Sequence, residues 1–354
     1  MVTSKDLNSA CGFGCGVNFG LGLPGNPVVL LSRCVSGLSN IFRWRDGKRD
    51  GEHLHIRLIE PDETDEALRL LLGQHGRKAD DAVVVDFVRY ARHRQIDLKQ
   101  TFVAVSGDRI VAACLPVVAP GRTALLMTST AGSSRQIPGA IAGCVAATCN
   151  ALDPKEVEIA QLLLEPPDTR TAAALHEHGF SELATLIYLQ RSVTKIPPPP
   201  RLPQGCDLLS YTQENHDHFA RGILASYEHS LDCPLLHGRR GIEDVIAGHK
   251  ASGEFDPSLW FCLIEQEIEL GVLLLSPVRS HGLMELVYIG LAPHARGRRL
   301  GDYFVDLALH STASEELKLL TLAVDECNAP ALHLYYRHGL GEVHRRLAMI
   351  RHVS

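Results

Sequence analysis

Residues 286–301 read Leu-Val-Tyr-Ile-Gly-Leu-Ala-Pro-His-Ala-Arg-Gly-Arg-Arg-Leu-Gly, an apolar run that leads into a loop rich in arginine and glycine. Apolar side chains then recur at helical spacing over residues 302–310, so the stretch predicts a strand, a tight turn and a helix. The first amides of a helix lack partners and lie at the positive end of its dipole, and small residues let a ligand approach the backbone. Residues 296–301 therefore predict a pyrophosphate site.

A second stretch, residues 322–340, reads Leu-Ala-Val-Asp-Glu-Cys-Asn-Ala-Pro-Ala-Leu-His-Leu-Tyr-Tyr-Arg-His-Gly-Leu. It predicts an apolar strand followed by a short helix that ends before Gly339, because glycine is favoured just beyond a helix end. Both stretches lie in the second half of the chain, in the order strand, helix, strand, helix. That order is typical of an α/β fold.

The first stretch resembles motif A of the GNAT acyltransferases, whose loop has the pattern Arg/Gln-x-x-Gly-x-Gly/Ala. Arg296 and Gly301 match the ends of this pattern. Arg299 stands where the middle glycine belongs, which puts close backbone approach at that position in question. A guanidinium there could instead contact a phosphate. A basic helix start over a solvated surface is the alternative for the loop alone.

The second stretch resembles GNAT motif B. Asn328, Ala331, the pair Leu334-Tyr335 and Gly339 match its pattern, and a leucine replaces the usual phenylalanine after the glycine. The resemblance covers about 145 residues of the second half. It implies acetyl-CoA as the co-substrate, no metal, and a cleft where two central strands separate.

The cofactor residues that the resemblance implies are Ile289, Leu291, Arg296, Gly297, Arg298, Arg299, Leu300, Gly301 and Asn328. The backbones of Ile289 and Leu291 would pair with the pantetheine arm, and the Leu291 N–H would face the thioester carbonyl. Amides 297–301 would hold the pyrophosphate. Asn328 would lie along the pantetheine or at the edge of the cleft.

In this family an amine attacks the acyl thioester directly. Tyr335 matches the family's general acid, and we favour it in that role; the alternative is a core tyrosine, a role for which Tyr336 beside it is also available. Glu285 is the candidate base; strand alternation predicts that it shares a face with Val287, Ile289 and Leu291. Burial would raise its pKa, which suits a base. The alternative is a solvated carboxylate at a strand end.

The chain also contains an internal repeat. At a shift of 160 residues, 160–165 falls on 320–325, 175–180 on 335–340 and 184–191 on 344–351. Several matches in one order indicate two copies of one fold. Between them, residues 196–203 read Ile-Pro-Pro-Pro-Pro-Arg-Leu-Pro, a stiff linker that no helix or central strand accepts.

We therefore predict two tandem GNAT folds of the α/β class, each with a mixed, mainly antiparallel sheet of about six strands flanked by helices. The predicted domains are 53–193 for the first copy, 194–204 for the linker and 205–354 for the catalytic copy. The tandem layout is similar to that of two-domain GNAT proteins of the mycothiol synthase type, in layout only. Residues 1–52 are rich in Gly, Ser and Asn and are predicted to form a disordered tail.

The first copy lacks the working residues at the shifted positions. Tyr335 falls on Leu175, Glu285 on Leu125 and Asn328 on Asp168. Leucine can neither donate nor accept a proton, and an aspartate would repel a polyanionic cofactor. The first copy is therefore predicted to be non-catalytic, with residual coenzyme A binding left open.

Residues 226–240 occupy the place where this fold builds its acceptor wall. The predicted acceptor residues there are Tyr227, Glu228, Asp232 and Arg239; a solvated loop is the alternative. The acceptor would be a small-molecule or peptide amine. Two rival functions stay open: a regulatory module that binds acyl-CoA without turnover, and an acyltransferase that uses a longer acyl chain.

Composition limits the other partners. The chain has 354 residues, a formal net charge of −6 and a pI near 6.3, which does not favour binding to nucleic acid or to an anionic membrane. The ten cysteines lack zinc-site spacing and suit buried thiols in a cytoplasmic protein. We expect a monomer or a homodimer.

Overall fold

The structure, a computed structural model, describes the backbone of residues 14–15 and residues 54–73, 77–130, 137–166, 168–236 and 238–353. The described residues form two compact units. The C-terminal unit holds residues 14–15 and 183–347, and the N-terminal unit holds residues 54–182 and 348–353. The first described element, strand β1 (Gly14–Cys15), belongs to the C-terminal unit.

The N-terminal unit is an α/β fold. Its strands, in sheet order, are β2 (Leu54–Leu58), β3 (Phe102–Ser106), β4 (Arg109–Ala119), β5 (Thr123–Thr128) and β6 (Ile159–Leu164). Neighbours from β2 to β5 are antiparallel, and β5 and β6 are parallel. The helices are α1 (Thr64–Leu71), α2 (Asp81–His93), α3 (Ile137–Ala151) and α4 (Thr169–His176).

The C-terminal unit repeats this order. Its elements are β7 (Ser181–Ser192, from Leu183), β8 (Asp207–Ser210), α5 (His216–Tyr227), α6 (Ile242–Ala251), β9 (Trp260–Glu265), β10 (Ile268–Val278), β11 (Leu283–Leu291), α7 (Leu300–Ser314), β12 (Leu319–Asp325), α8 (Ala329–Arg337) and β13 (Gly341–His352, to Leu347). The sheet order is β7-β12-β11-β10-β9-β8. Between β7 and β8, residues 193–206 form neither helix nor strand.

The sheet of the C-terminal unit is covered on both faces. On one face, apolar residues of β10, β11 and β12 pack with those of α7 and α8, around Phe304 and Tyr335. On the other face, β9, β10 and β11 pack against α5 and α6, around Phe219 and Trp260. Burial on both faces explains why these strands read as nearly continuous apolar runs.

The repeat predicted from sequence recurs in the strand register. Leu283 pairs with Leu319 between β11 and β12, and Thr123 pairs with Ile159 between β5 and β6. Each residue of the later pair lies 160 positions after its counterpart. The caps of the two short helices follow the same shift, because Asp168 Oδ1 accepts from the Thr171 amide and Asn328 Oδ1 from the Ala331 amide.

The predicted fold class, two tandem copies of one α/β fold, is confirmed. The predicted helix ends are also found, since Gly179 and Gly339 follow α4 and α8 with φ of +82° and +74°. The predicted domain limits 53–193 and 205–354 stay predictions, and the compact units differ from them at β7. Residues 183–192 close the first copy in the sequence but belong to the C-terminal unit.

Two further features concern the described residues alone. None of their helices combines the length and the apolar character needed to span a membrane. The seven cysteines in the described residues after β1 are free thiols, and of these Cys327 alone is exposed. The predicted disordered tail, residues 1–52, lies outside the described residues except for β1.

Candidate active site

The two central strands of the C-terminal unit separate partway along their length. Strands β11 and β12 pair in parallel from Leu283–Leu319 to Glu285–Thr321, and their ladder ends there. A bulge in β11 accompanies the separation. Leu274 of β10 lies opposite Tyr288 and Leu275 opposite Leu286, which leaves Val287 as the extra residue. A bulge bends its strand and increases the local twist, so it turns β11 away from β12.

The bulge also corrects one prediction about Glu285. Met284, Leu286, Ile289 and Leu291 all pack with α7 and α8. Strict alternation would put Leu286 and Ile289 on opposite faces, so the alternation is interrupted between these two positions. Glu285 alternates with Met284 and Leu286 and therefore lies on the opposite face from Ile289 and Leu291. The predicted shared face was wrong for these two residues, because one extra residue reverses strand alternation.

The edge of β11 that faces the separation is defined by its backbone. The Ala292 amide donates to the Leu270 carbonyl oxygen at 2.9 Å, toward β10. Because amides alternate between the two edges of a strand, those of Leu291 and Ile289 point toward the β12 side. Strand β1 lies along this edge, with Gly14 opposite Gly290 and Cys15 opposite Ile289.

The arginine- and glycine-rich loop that follows β11 leads directly into α7. Gly297 and Arg299 both adopt the left-handed conformation, with φ of +77° and +62°, and α7 begins at Leu300. Arg299 thus has the backbone conformation that the family's glycine would favour. Gly301 lies close to α8, because a Cβ there would come within 3.0 Å of Leu334 Cδ2. The loop therefore presents the first amides of a 15-residue helix.

The guanidinium of Arg296 turns toward the protein. Its Nε donates to the Leu291 carbonyl oxygen at 3.2 Å, and its Nη2 donates to the carbonyl oxygens of Ser226 at 3.2 Å and Glu228 at 2.6 Å. Partial burial lowers the pKa of Arg296. Arg296 therefore connects the end of β11 with the end of α5.

The other two arginines of the loop are exposed. Arg298 forms two hydrogen bonds with the Glu265 carboxylate, at 2.7 and 3.0 Å. Arg299 has no hydrogen-bond or ion-pair partner among the described residues. Among the three arginines predicted to bind the cofactor, Arg299 is the one whose guanidinium is not bonded to another described residue.

Tyr335 and Asn328 are fully buried on α8 and at its cap. Tyr335 belongs to the packed cluster that contains Ile289, Leu291 and Leu300. Asn328 was predicted to lie along the pantetheine or at the edge of the cleft, and its Oδ1 serves as the cap of α8. Tyr336, which the sequence offered for the core position, is 44% exposed, so Tyr335 is the core tyrosine of the pair and its role as the acid stays a prediction.

Glu285 lies at the last paired position before the strands separate. Its side chain is half-buried, and desolvation raises its pKa to about 7. The structure gives its carboxylate no hydrogen-bond or ion-pair partner among the described residues. A carboxylate with that pKa can exchange protons near neutral pH.

The four predicted acceptor residues take different positions. The half-buried Tyr227 meets Tyr288 edge-on at 6.2 Å, and desolvation raises its pKa to about 12. Asp232 is buried, and its Oδ1 accepts from the Asp325 amide at 3.3 Å, so it anchors the loop to the end of β12. Glu228 and Arg239 are exposed. Their role as an acceptor wall stays a prediction.

Sequence reasoning missed three buried or half-buried groups near this site: Tyr188, His249 and His344. His249 is 2% exposed, packs 5.2 Å from the Tyr288 ring, and has no hydrogen-bond partner for either ring nitrogen among the described residues. Desolvation lowers its pKa to about 3. Nothing in its local sequence, Ala247-Gly-His-Lys250, indicates a buried imidazole.

Comparison with known proteins agrees with this geometry. Residues 227–340 match the family model described as the acetyltransferase (GNAT) family. Mycothiol acetyltransferase of Tsukamurella paurometabola is 27% identical over 179 residues. That match covers 48% of this chain and 60% of the relative, so the chain spans less than two thirds of the relative's length.

Two solved structures share the fold at low identity. A GCN5-related N-acetyltransferase of Sphaerobacter thermophilus has a TM-score of 0.59 at 15% identity, over 85% of this chain and 96% of its own. A tandem GNAT protein from the clavulanic acid biosynthesis pathway has a TM-score of 0.50 at 17% identity, over 85% and 99%.

The strand separation and the loop at the start of α7 lie within residues 227–340, the segment that matches the acetyltransferase (GNAT) family. The chain as a whole shares its fold with a tandem GNAT protein.

Proposed function

We propose that the C-terminal unit is an N-acetyltransferase that moves an acetyl group from acetyl-CoA to a primary amine of a small molecule or peptide in the cytoplasm. The observation that carries this proposal is the end of the β11–β12 ladder at Glu285–Thr321, beside the loop that starts α7. Beyond this point the edge of β11 is not paired with β12, so a pantetheine arm could pair there once β1 leaves it, and the helix start could take a pyrophosphate. The family match supports acyl transfer in general.

The pantetheine arm would pair with the backbones of Ile289 and Leu291 on the β12 side of β11. The pyrophosphate would accept from amides 297–301, with Arg299 as the charged partner. Gly14 and Cys15 lie along the same edge, so binding of the arm requires that β1 leave it. Arg296 would hold the loop through its three carbonyl bonds rather than contact a phosphate.

The acetyl carbonyl would be activated by the Leu291 amide. When the amine attacks the carbonyl carbon, negative charge develops on the oxygen, and a fixed amide toward that oxygen stabilises the tetrahedral intermediate. Such a donor is worth about 2.7–4 kcal/mol of the barrier. Collapse of the intermediate breaks the C–S bond and leaves a thiolate and an acetamide whose nitrogen still carries one surplus proton.

Three proton transfers complete this reaction. Glu285, with its pKa near 7, would take one proton from the incoming ammonium, so that the amine attacks in its neutral form. Tyr335 would give its proton to the departing thiolate, and its phenolate would then take the surplus proton from the acylated nitrogen. It shares a packed cluster with Ile289 and Leu291, the residues proposed to hold the arm that ends in this sulfur.

The acceptor would enter beside the end of α5, where Tyr227 and Asp232 are buried or half-buried and Glu228 and Arg239 are exposed. The first copy would support this site without catalysing the reaction. Leu125 and Leu175 stand at its positions equivalent to the base and the acid, and both are buried leucines.

A direct assay tests the proposal. The protein is incubated with acetyl-CoA and tyramine, spermidine, L-lysine or the dipeptide Ala-Ala, and release of free thiol is followed. We expect turnover of at least one amine, and a loss of about 100-fold or more in kcat for Tyr335→Phe. Tyr336→Phe is the matched control and should keep its rate.

Two results would contradict the proposal. Acetyl-CoA that binds without turnover on any amine would favour the regulatory module, and acetyl-CoA that fails to raise the Tm would exclude both functions. A longer acyl donor is tested by replacing acetyl-CoA with octanoyl-CoA in the same assay.

A further inference from the structure

Tyr188 belongs to the first copy by sequence but lies in the C-terminal unit. Strand β7 precedes the proline-rich segment, yet it pairs antiparallel with β12, and Tyr188 lies opposite Ala323 and Gln190 opposite Thr321. The Thr321 hydroxyl donates to the Leu189 carbonyl oxygen at 3.2 Å. The strand next to β12 is therefore one that the repeat assigns to the first copy.

Tyr188 and Glu285 lie on the same face of this sheet. Glu285 lies opposite Thr321 in the β11–β12 ladder, and Thr321 and Ala323 are two residues apart on β12. Opposite residues, and residues two apart in a strand, share a face. Ile187 packs in the cluster on the other face. On β12, the half-buried Thr321 and Ala323 lie between the tyrosine and the carboxylate, and the two groups are close enough for the Glu285 charge to act on Tyr188.

Neither polar group is used by the protein. The structure gives the Tyr188 hydroxyl and the Glu285 carboxylate no hydrogen-bond or ion-pair partner within the described ranges. Neither group is among the fully buried side-chain polar atoms that lack a partner, so both can be reached from outside the protein. Two polar groups on one face, each able to accept a hydrogen bond at the point where the central strands separate, suit a bound group that donates to both.

The tyrosine ring is held in place by His344, whose ring stacks on it at 4.2 Å between centroids with planes 20° apart. Desolvation lowers the pKa of His344 to about 4, so the imidazole is neutral at pH 7. Burial raises the pKa of Tyr188, which keeps the phenol neutral, and the nearby Arg346 charge opposes this shift. A neutral phenol can accept a hydrogen bond from an ammonium group.

We propose that Tyr188 is a positioning residue for the acceptor, and that its hydroxyl and the Glu285 carboxylate accept hydrogen bonds from the N–H groups of one primary amine. The inference rests on the proposed acetyl transfer for its chemical meaning. It makes residues 183–192 part of the acceptor site of the second copy. A role for Tyr188 would also explain why β7, the last strand of the first copy, is retained although that copy lacks the catalytic residues.

Amine binding, measured apart from turnover, tests this inference. The full chain, saturated with coenzyme A, is titrated calorimetrically with tyramine, spermidine, L-lysine and Ala-Ala. Tyr188→Phe keeps the ring and its stack on His344, and Tyr336→Phe is the exposed control. We expect Tyr188→Phe to raise the Kd of the tightest amine about tenfold, with the Kd of coenzyme A unchanged. In turnover, the amine KM should rise by the same factor while kcat changes less than threefold.

An amine Kd within twofold of wild type in Tyr188→Phe overturns the inference, as does a wild-type protein that binds none of the four amines. Amine binding that depends on Tyr188 without any acetyl transfer would instead overturn the proposed function and leave the inference standing.

Discussion

The Nη2 atom of Arg296 donates a 2.6 Å hydrogen bond to the backbone carbonyl oxygen of Glu228, which joins the arginine- and glycine-rich loop before α7 to the end of α5. Arg296→Lys would lose this geometry, because one ammonium cannot reach the carbonyls of Ser226, Glu228 and Leu291 together. We expect a loss of about 2–3 kcal/mol and a Tm lower by roughly 5 °C in a thermal scan. Arg298→Lys, at an exposed ion pair, is the control and should change the Tm by about 1 °C. Equal shifts in the two variants would refute this role.

Arg299 adopts φ +62° at the start of α7, a conformation that costs a residue with a Cβ about 1–2 kcal/mol. Arg299→Gly removes this strain, and the extra freedom of the unfolded chain offsets part of the gain. We expect a net stabilisation of about 0.5–1 kcal/mol in urea unfolding, together with weaker acetyl-CoA binding if the guanidinium contacts a phosphate. Arg298 does not have a positive φ, so Arg298→Gly should destabilise the protein. Stabilisation by both substitutions would contradict the strain argument.

The fold was predictable because the 160-residue repeat gives two sequences for each helix and strand, and the prediction for one copy could be checked against the other. The strand register, the caps at Asp168 and Asn328 and the left-handed Gly179 and Gly339 all follow the same shift. The bulge at Val287 was not predictable, because a run of apolar residues has no alternation that could reveal an extra one. A single such residue moved Glu285 to the opposite face from Ile289.

The site was predictable where the backbone makes it and less so where side chains do. The loop before α7 follows from its glycines, but the direction of the Arg296 guanidinium depends on carbonyls 68 and 70 positions earlier in the chain. Tyr188 escaped prediction because the repeat places β7 in the first copy, whereas its pairing with β12 places it beside Glu285. The sequence of β7 alone cannot show whether it pairs with β6 or with β12, because these two strands are themselves copies of one another.

Strand β1 occupies the edge of β11 that we assign to the pantetheine arm, with Gly14 and Cys15 opposite Gly290 and Ile289. Each backbone hydrogen bond contributes about 0.5–1.5 kcal/mol net, so the segment competes with the arm by up to roughly tenfold. Deletion of residues 1–25 should therefore lower the Kd of acetyl-CoA, measured by calorimetry. Deletion of residues 1–10 leaves β1 in place and should leave the Kd unchanged. An equal Kd in the wild type and both deletions would show that β1 does not compete.

The imidazole of His249 is buried against Tyr288 and has no hydrogen-bond partner for either nitrogen among the described residues. His249→Phe keeps the ring contact and removes two unsatisfied polar atoms, so it should be neutral or stabilise the protein by about 1 kcal/mol in urea unfolding. His249→Ala leaves a cavity and should cost about 2–4 kcal/mol. The folded pKa of about 3 lies below the ordinary 6.5, so the wild type loses stability as pH falls below about 6.5. In His249→Phe, stability should fall less as the pH drops below about 6.5. The same fall in the variant and the wild type would show that His249 does not cause it.

The Glu285 carboxyl has a folded pKa of about 7, raised by desolvation from the ordinary 4.5. The folded state therefore binds more protons than the unfolded state between these values, and stability falls as pH rises from about 4.5 to 7. Glu285→Gln removes this dependence and should stabilise the protein by about 1–3 kcal/mol at pH 8 relative to wild type.

The Glu285 carboxyl must also be ionised to act as a base, so kcat/KM should fall tenfold per pH unit below pH 7 in the wild type. Glu285→Gln should lose about 100-fold or more in kcat/KM, and with it this acid limb. Exposed Glu228→Gln is the control and should change neither profile. If Glu285→Gln is more stable at pH 8 yet fully active, the raised pKa of Glu285 is supported but another group must be the base.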